Sequence, residues 1–232
     1  MSRSPKLTTT PSSGEMLLGW MYLLFSQLVL PTLLHLLNKM MGGLLDGGWM
    51  NFLYFCVNFI SVTVLFRSFL GRSINAMGRS FLRMLRGAFL GFCVYYVTNL
   101  ALGWGIHSIF PDFSNVNDEN VTALVGSNYL PMVIGTVVLV PVTEEVLCRG
   151  MIFHSLYLKN KALAYSVSAL VFCAIHVIGY IGSTDIGTLA LCFIQYLPAS
   201  LCLAWAYVEA DNIIAPILIH SLVNAMGIYT MR

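Results

Sequence analysis

The stretch Pro131-Met-Val-Ile-Gly-Thr-Val-Val-Leu-Val-Pro141-Val-Thr-Glu144-Glu145-Val-Leu-Cys-Arg149-Gly150 decides how this chain is read. An uncharged, mostly aliphatic run leads straight into two carboxylates and a guanidinium. A charged side chain at the centre of a membrane helix costs about 2.5–3.5 kcal/mol on insertion scales, so ionisable residues in such a setting are functional candidates. Two more, His176 and His220, lie inside other apolar segments.

Outward from that stretch, the whole chain is apolar. It is 58% hydrophobic and 9% charged, with a mean hydropathy of +0.79. Soluble domains carry about 25% charged residues, so a soluble globular domain is excluded. The apolar residues come in runs long enough for helices to cross a hydrocarbon core of about 30 Å. Short alternating segments of the kind that build membrane barrels do not dominate. The expected fold is therefore all-α: a polytopic transmembrane helical bundle of about seven or eight spans around an intramembrane polar cavity. The predicted spans are 16–37, 49–70, 84–109, 125–157, 163–181, 187–208 and 213–230. A break at Pro131 or Pro141 would raise the count to eight, and Pro198 should kink the sixth span by removing a backbone donor. The polar residues 1–14 resemble the n-region of a signal sequence. The following run is too long for an h-region, so it reads as a retained first span.

Charge placement orients the bundle. Arg67, Arg72, Arg79, Arg83 and Arg86 fall between spans two and three, Lys159 and Lys161 between four and five, and Arg3 and Lys6 before the first. The positive-inside rule puts these three segments, and the N-terminus, in the cytoplasm. Asp46, Asp112, Asp118, Glu119 and Asp185 then share the opposite side. The acidic turn at Glu209 and Asp211 is cytoplasmic without a basic residue, an exception to the pattern. On a helix, Arg72, Arg79, Arg83 and Arg86 form a basic stripe suited to a topology signal or an anionic lipid surface. The net charge of +2 names no partner; the lipid bilayer is expected, and nucleic acid is not. The six cysteines all lie in apolar segments without a CxxC pair and read as small buried hydrophobes.

Helical geometry divides the polar residues. Glu145 and Arg149 are spaced i,i+4 with the acid first, the favoured order for a pair. Glu144 lies about 140° from Arg149 around a helix and lacks that partner. Glu145 and Arg149 are therefore expected to be structural, leaving Glu144 free for chemistry. Phe172 and His176 share a helix face, as do His220 and Asn224. Counted from the predicted span ends, Glu144, His176, His220 and Asn224 lie at depths between roughly 10 and 20 Å. Three helices could thus present a carboxylate, two imidazoles and an amide in one membrane layer.

The ordered set Glu144-Glu145-Val-Leu-Cys-Arg149, Phe172-Cys-Ala-Ile-His176 and His220-Ser-Leu-Val-Asn224 resembles the CAAX protease and bacteriocin-processing family, also called Abi. That family's pattern is Glu-Glu-x-x-x-Arg, Phe-x-x-x-His and His-x-x-x-Asn on separate helices. The resemblance covers about 131–227 and divides the chain into a tail at 1–14, N-terminal transmembrane helices at 15–124 and a catalytic-type region at 125–232. It implies an intramembrane endopeptidase with a peptide or protein substrate, lipidated or membrane-associated. Glu144 and His176 would activate water, His220 and Asn224 would form the oxyanion site, and Glu145, Arg149 and Phe172 would support them. It implies no cofactor; the alternative is zinc held by Glu144, His176 and His220 with an open fourth position. The expected setting is a bacterial plasma membrane. Two other functions fit the same residues: a non-catalytic bacteriocin-immunity or scaffold protein, and a small proton-coupled transporter.

Overall fold

The computed structural model describes residues 7–230, without the side chains of Arg79 and Ser80. Arg3 and Lys6, which entered the topology reading, lie outside the described residues, as does the Arg79 side chain. The described chain is helical throughout. Helix α1 is Ser13–Leu28, α2 Leu30–Met40, α3 Gly47–Leu65, α4 Arg67–Ile109 and α5 Val116–Ser127. One continuous helical rod, α6, runs over Tyr129–Tyr157. Helix α7 is Lys161–Val177, α8 Ile186–Ala210 and α9 Ile214–Thr230.

Local chemistry explains most of the boundaries. Ser12 and Glu15 close a reciprocal capping box at the start of α1. Pro31 near the start of α2 has no N–H to continue the preceding helix, and α1 and α2 meet at a bend of 49°. Asp46 caps α3 by accepting from Trp49 N, and Asn160 and Asp185 do the same for α7 and α8. Asp46 is fully exposed, and the Trp49 backbone N–H, followed by Asn128, holds its carboxyl below the usual carboxylate range.

Five helices are long and apolar enough to cross a membrane, or six when α1 and α2 count as one bent span; α9 is apolar but has only 17 residues. The seven predicted segments each find a helical counterpart, but their edges move. The connection drawn between spans two and three is helical, because α4 starts at Arg67 and runs for 43 residues. The fourth predicted span is two elements, since α5 ends at Ser127 and α6 begins at Tyr129. Neither Pro131 nor Pro141 breaks α6. The rod instead widens into π-helical turns at Gly135–Leu139 and Val146–Phe153. Pro198 sits inside an uninterrupted α8.

Helices α4 and α8 pack along each other through small residues. A side chain on Gly91 would place its first carbon 2.8 Å from Cβ of Ala206, so the two backbones approach as closely as small residues permit. Large apolar side chains such as Leu28, Leu82, Trp104 and Ile186 point outward, as expected where lipid is the solvent.

One end of the bundle collects the charges. Arg83 pairs with Asp211 at 3.5 Å, Arg86 with Glu209 at 2.8 Å and Arg72 with Glu15 at 3.4 Å. The acidic turn that stood as an exception to the charge pattern thus faces the basic stretch of α4. Thr8 donates its backbone N–H and its hydroxyl to the two carboxylate oxygens of Asp211, at 2.7 and 2.9 Å, tying the N-terminal segment across the same end.

Candidate active site

Helix α6 carries the Glu-Glu-x-x-x-Arg motif through its second π-helical segment. Such segments arise where an extra residue is accommodated in a turn, and they are frequent at functional sites. Glu145 and Arg149 are both fully buried and pair at 3.0 Å. Arg149 also donates to the backbone oxygen and hydroxyl of Ser200 on α8, at 3.0 and 3.1 Å. Its guanidinium lies 4.3 Å from the Phe172 ring centroid. The charge is thus answered by an acid, a carbonyl, a hydroxyl and an aromatic face, as a buried guanidinium requires.

Glu145 has a second partner that spacing alone did not reveal: Nδ1 of His220 lies 2.9 Å from Oε1. The ionised carboxylate can only accept, so Nδ1 carries the hydrogen and Nε2 faces the cavity. His176 is fixed the same way. Its Nδ1 is 2.7 Å from the Phe172 carbonyl, which also only accepts, so its Nε2 is likewise turned inward.

Both inward nitrogens converge on Glu144. Its Oε2 is 3.7 Å from His176 Nε2 and 4.0 Å from His220 Nε2, and it is buried with no direct hydrogen-bond partner among the described residues. These separations are too long for direct hydrogen bonds and suit one bridging water.

Asn224 is positioned by a proline. In the first π-helical segment Val140 N–H reaches back to Gly135 O. The next residue, Pro141, has no N–H to offer the next carbonyl, that of Thr136. Asn224 Nδ2 supplies the missing donor at 2.7 Å. One amide hydrogen is spent on this bond, and the second remains.

Glu144, His176, His220 and Asn224 line a single cavity of about 860 Å³. Residues that the sequence reading passed over line it too. The Tyr196 ring on α8 lies against His176, tilted by 32° with centroids 4.3 Å apart, and Phe172 lies 4.6 Å away. The Tyr196 hydroxyl accepts from Asn117 Nδ2 at 3.0 Å and reaches Asp118 Oδ1 at 3.2 Å. Asn115 caps α5 and donates to Gln195 at 2.8 Å. The readable trace of this cluster was the polar run Asn115-Val-Asn117-Asp118 facing Gln195-Tyr196 in an otherwise apolar span; Asp118 was counted only as a topology charge.

Among the described residues, no three His, Cys, Asp or Glu side chains are grouped closely enough to hold a metal ion. No step is routed through a metal. The six cysteines are free.

Fold and site together define a polytopic helical membrane protein with an acid–imidazole cluster buried between its helices. Residues 126–226 match the family described as Type II CAAX prenyl endopeptidase Rce1-like. The matched residues contain all three motifs, Glu144 to Arg149, Phe172 to His176 and His220 to Asn224, on which the resemblance was drawn. A curated relative, the UPF0177 protein YxdF of Lactococcus lactis subsp. lactis (strain IL1403), is 31% identical over 90 residues. That alignment covers 39% of this chain and 44% of the relative, so the chain spans less than half of the relative's length. No solved structure matches the chain.

Proposed function

We propose that the protein is an intramembrane endopeptidase in which Glu144 is the general base. The observation that carries this reading is the buried Glu144 oxygen, unbonded and facing two imidazole nitrogens across a water-sized gap. Water in that gap gives one proton to Glu144 and directs its other hydrogen to His176 Nε2. The resulting hydroxide attacks the peptide carbonyl. Glu144 then returns its proton to the leaving amine as the C–N bond breaks, leaving a free carboxylate and a free amine.

The oxyanion needs donors. Asn224 offers its second amide hydrogen. His220 can donate through Nε2 only when it holds a second proton, because Nδ1–H is committed to Glu145. Glu145 therefore does more than neutralise Arg149: its contact with Nδ1 turns Nε2 of His220 toward the cavity. We assign the site to a multi-pass protein of a bacterial plasma membrane with its N-terminus in the cytoplasm.

The test compares wild type with Glu144→Gln, purified in detergent, against a fluorogenic peptide library. The expected result is loss of turnover by about 10²–10⁴-fold with an unchanged unfolding temperature. Turnover that survives in Glu144→Gln ends the proposal. Turnover that chelator removes and zinc restores would transfer the role of Glu144 to metal chemistry.

A further inference from the structure

A second cavity of about 70 Å³ adjoins the large one. The two share His176, His220 and Asn224 as lining residues, whereas Glu144 lines only the larger. Three residues line the smaller one alone: Phe172 on α7, Leu203 on α8 and Ile219 on α9. Each is nearly fully buried, and each ends in hydrocarbon, so together they form the closed end. Ala199 and Val223 line both spaces and stand at the join. The imidazoles and the Asn224 amide thus lie between two environments. One holds the acid and has room for water; the other is small and ends in an apolar wall.

A peptide cut at this site meets both environments. Its carbonyl oxygen would lie at the Asn224 amide, and its carbon would face the water beside Glu144. The α-carbons on either side of a scissile bond lie within about 3 Å of that carbon, so one flanking side chain starts where the two cavities join. Size limits what can follow. An engineered cavity of about 150 Å³ holds benzene, and roughly half that volume admits a branched aliphatic group but no aromatic ring. Chemistry limits it as well. A charged or amide side chain pushed to the closed end would lose water to three hydrocarbon walls that return no hydrogen bond. We infer that the small cavity is a specificity subsite for a Val-sized aliphatic side chain on one of the two residues flanking the scissile bond, with Leu203 and Ala199 setting the size limit. This rests on the endopeptidase reading above and adds a side-chain preference to that same site.

Cleavage-site profiling tests this. The full chain in detergent is incubated with a randomised decapeptide mixture, and the cut positions are read by mass spectrometry. At one flanking position, Val should be preferred over Phe and over Lys or Asp by about tenfold. Leu203→Ala lengthens the cavity and should raise Phe relative to Val at that same position by about tenfold. Ala199→Val narrows the join and should shift the preference the other way, toward Ala and Gly. Both readouts are ratios within one sample, so a lower yield of folded variant does not alter them. A profile that neither variant moves, or a preference for aromatic or charged residues at both flanks, overturns the subsite. If wild type cuts no peptide at all, the endopeptidase reading fails, and binding to Glu144→Gln decides the subsite separately. NBD-labelled nonapeptides with a central Val should then bind about tenfold tighter than those with a central Phe, and adding Leu203→Ala should abolish the difference. Equal binding of the two peptides ends the subsite as well.

Discussion

Two adjacent glutamates hold opposite positions. Glu145 is sealed between Arg149 and His220, whereas Glu144 opens to the cavity with an unbonded oxygen. Their substitutions should therefore fail differently. Glu145→Ala strands a buried guanidinium and should destabilise the protein by about 3–5 kcal/mol, read as a large fall in unfolding temperature in detergent. Glu144→Ala should fold normally and be inactive. Equal stability of the two variants would undo this division. Tyr196 makes a subtler case. Its ring lies against His176, as does that of Phe172. Tyr196→Phe should retain most of kcat, and Tyr196→Leu should lose about 10–100-fold in kcat with little change in KM, as misaligning the imidazole that orients the water would. The Glu145–Arg149 pairing was legible because a fixed spacing on one helix decides it. The Glu145–His220 and Tyr196–His176 contacts were not. Each joins segments far apart in sequence, and only tertiary packing sets their distance.

At the scale of the helix, the informative element is the π-helical start of α6. The sequence left open a tilt or a break at Pro131 or Pro141; Pro131 falls in the first turn of α6, where no intrahelical donor is needed, and Pro141 follows a π-helical turn in which Val140 N–H reaches Gly135 O. Proline chemistry announced a missing donor, and nothing local announced that Asn224 would replace it. A prediction follows for Pro141→Ala. The new N–H can satisfy Thr136 O from within the helix, so α6 should gain stability while Asn224 loses its anchor. The unfolding temperature should hold or rise while kcat falls about 10–100-fold. Unchanged kcat would mean that the Thr136 bond does not set the amide's aim. Helix existence was readable throughout from apolar run length, whereas helix edges were not. Polar stretches such as Arg67–Ser80 and α5 are helical without being apolar, so hydropathy stops short of where the backbone does.

Across the whole molecule, charge is sorted by end, and the acidic turn makes the sorting work. Glu209 and Asp211 look misplaced when loops are counted singly, because the count ignores that a long α4 brings Arg83 and Arg86 alongside them. Asp211 has a left-handed backbone (φ 52°), a conformation that asparagine tolerates well. Asp211→Asn therefore keeps the turn while removing the charge that Arg83 and Thr8 share. It should lower the unfolding temperature by a few degrees and leave turnover unchanged. A loss of turnover at constant stability would show that this end is coupled to the site.

The water-facing cluster draws Glu144 from α6, His176 from α7, and His220 and Asn224 from α9. That arrangement imposes an order on biosynthesis. Until α9 is in place, Thr136 lacks the Asn224 donor and Glu145 its imidazole partner. If the protein is the endopeptidase proposed above, a chain still being inserted would lack the α9 half of its machinery, and the docking of one short helix would serve as its safety catch.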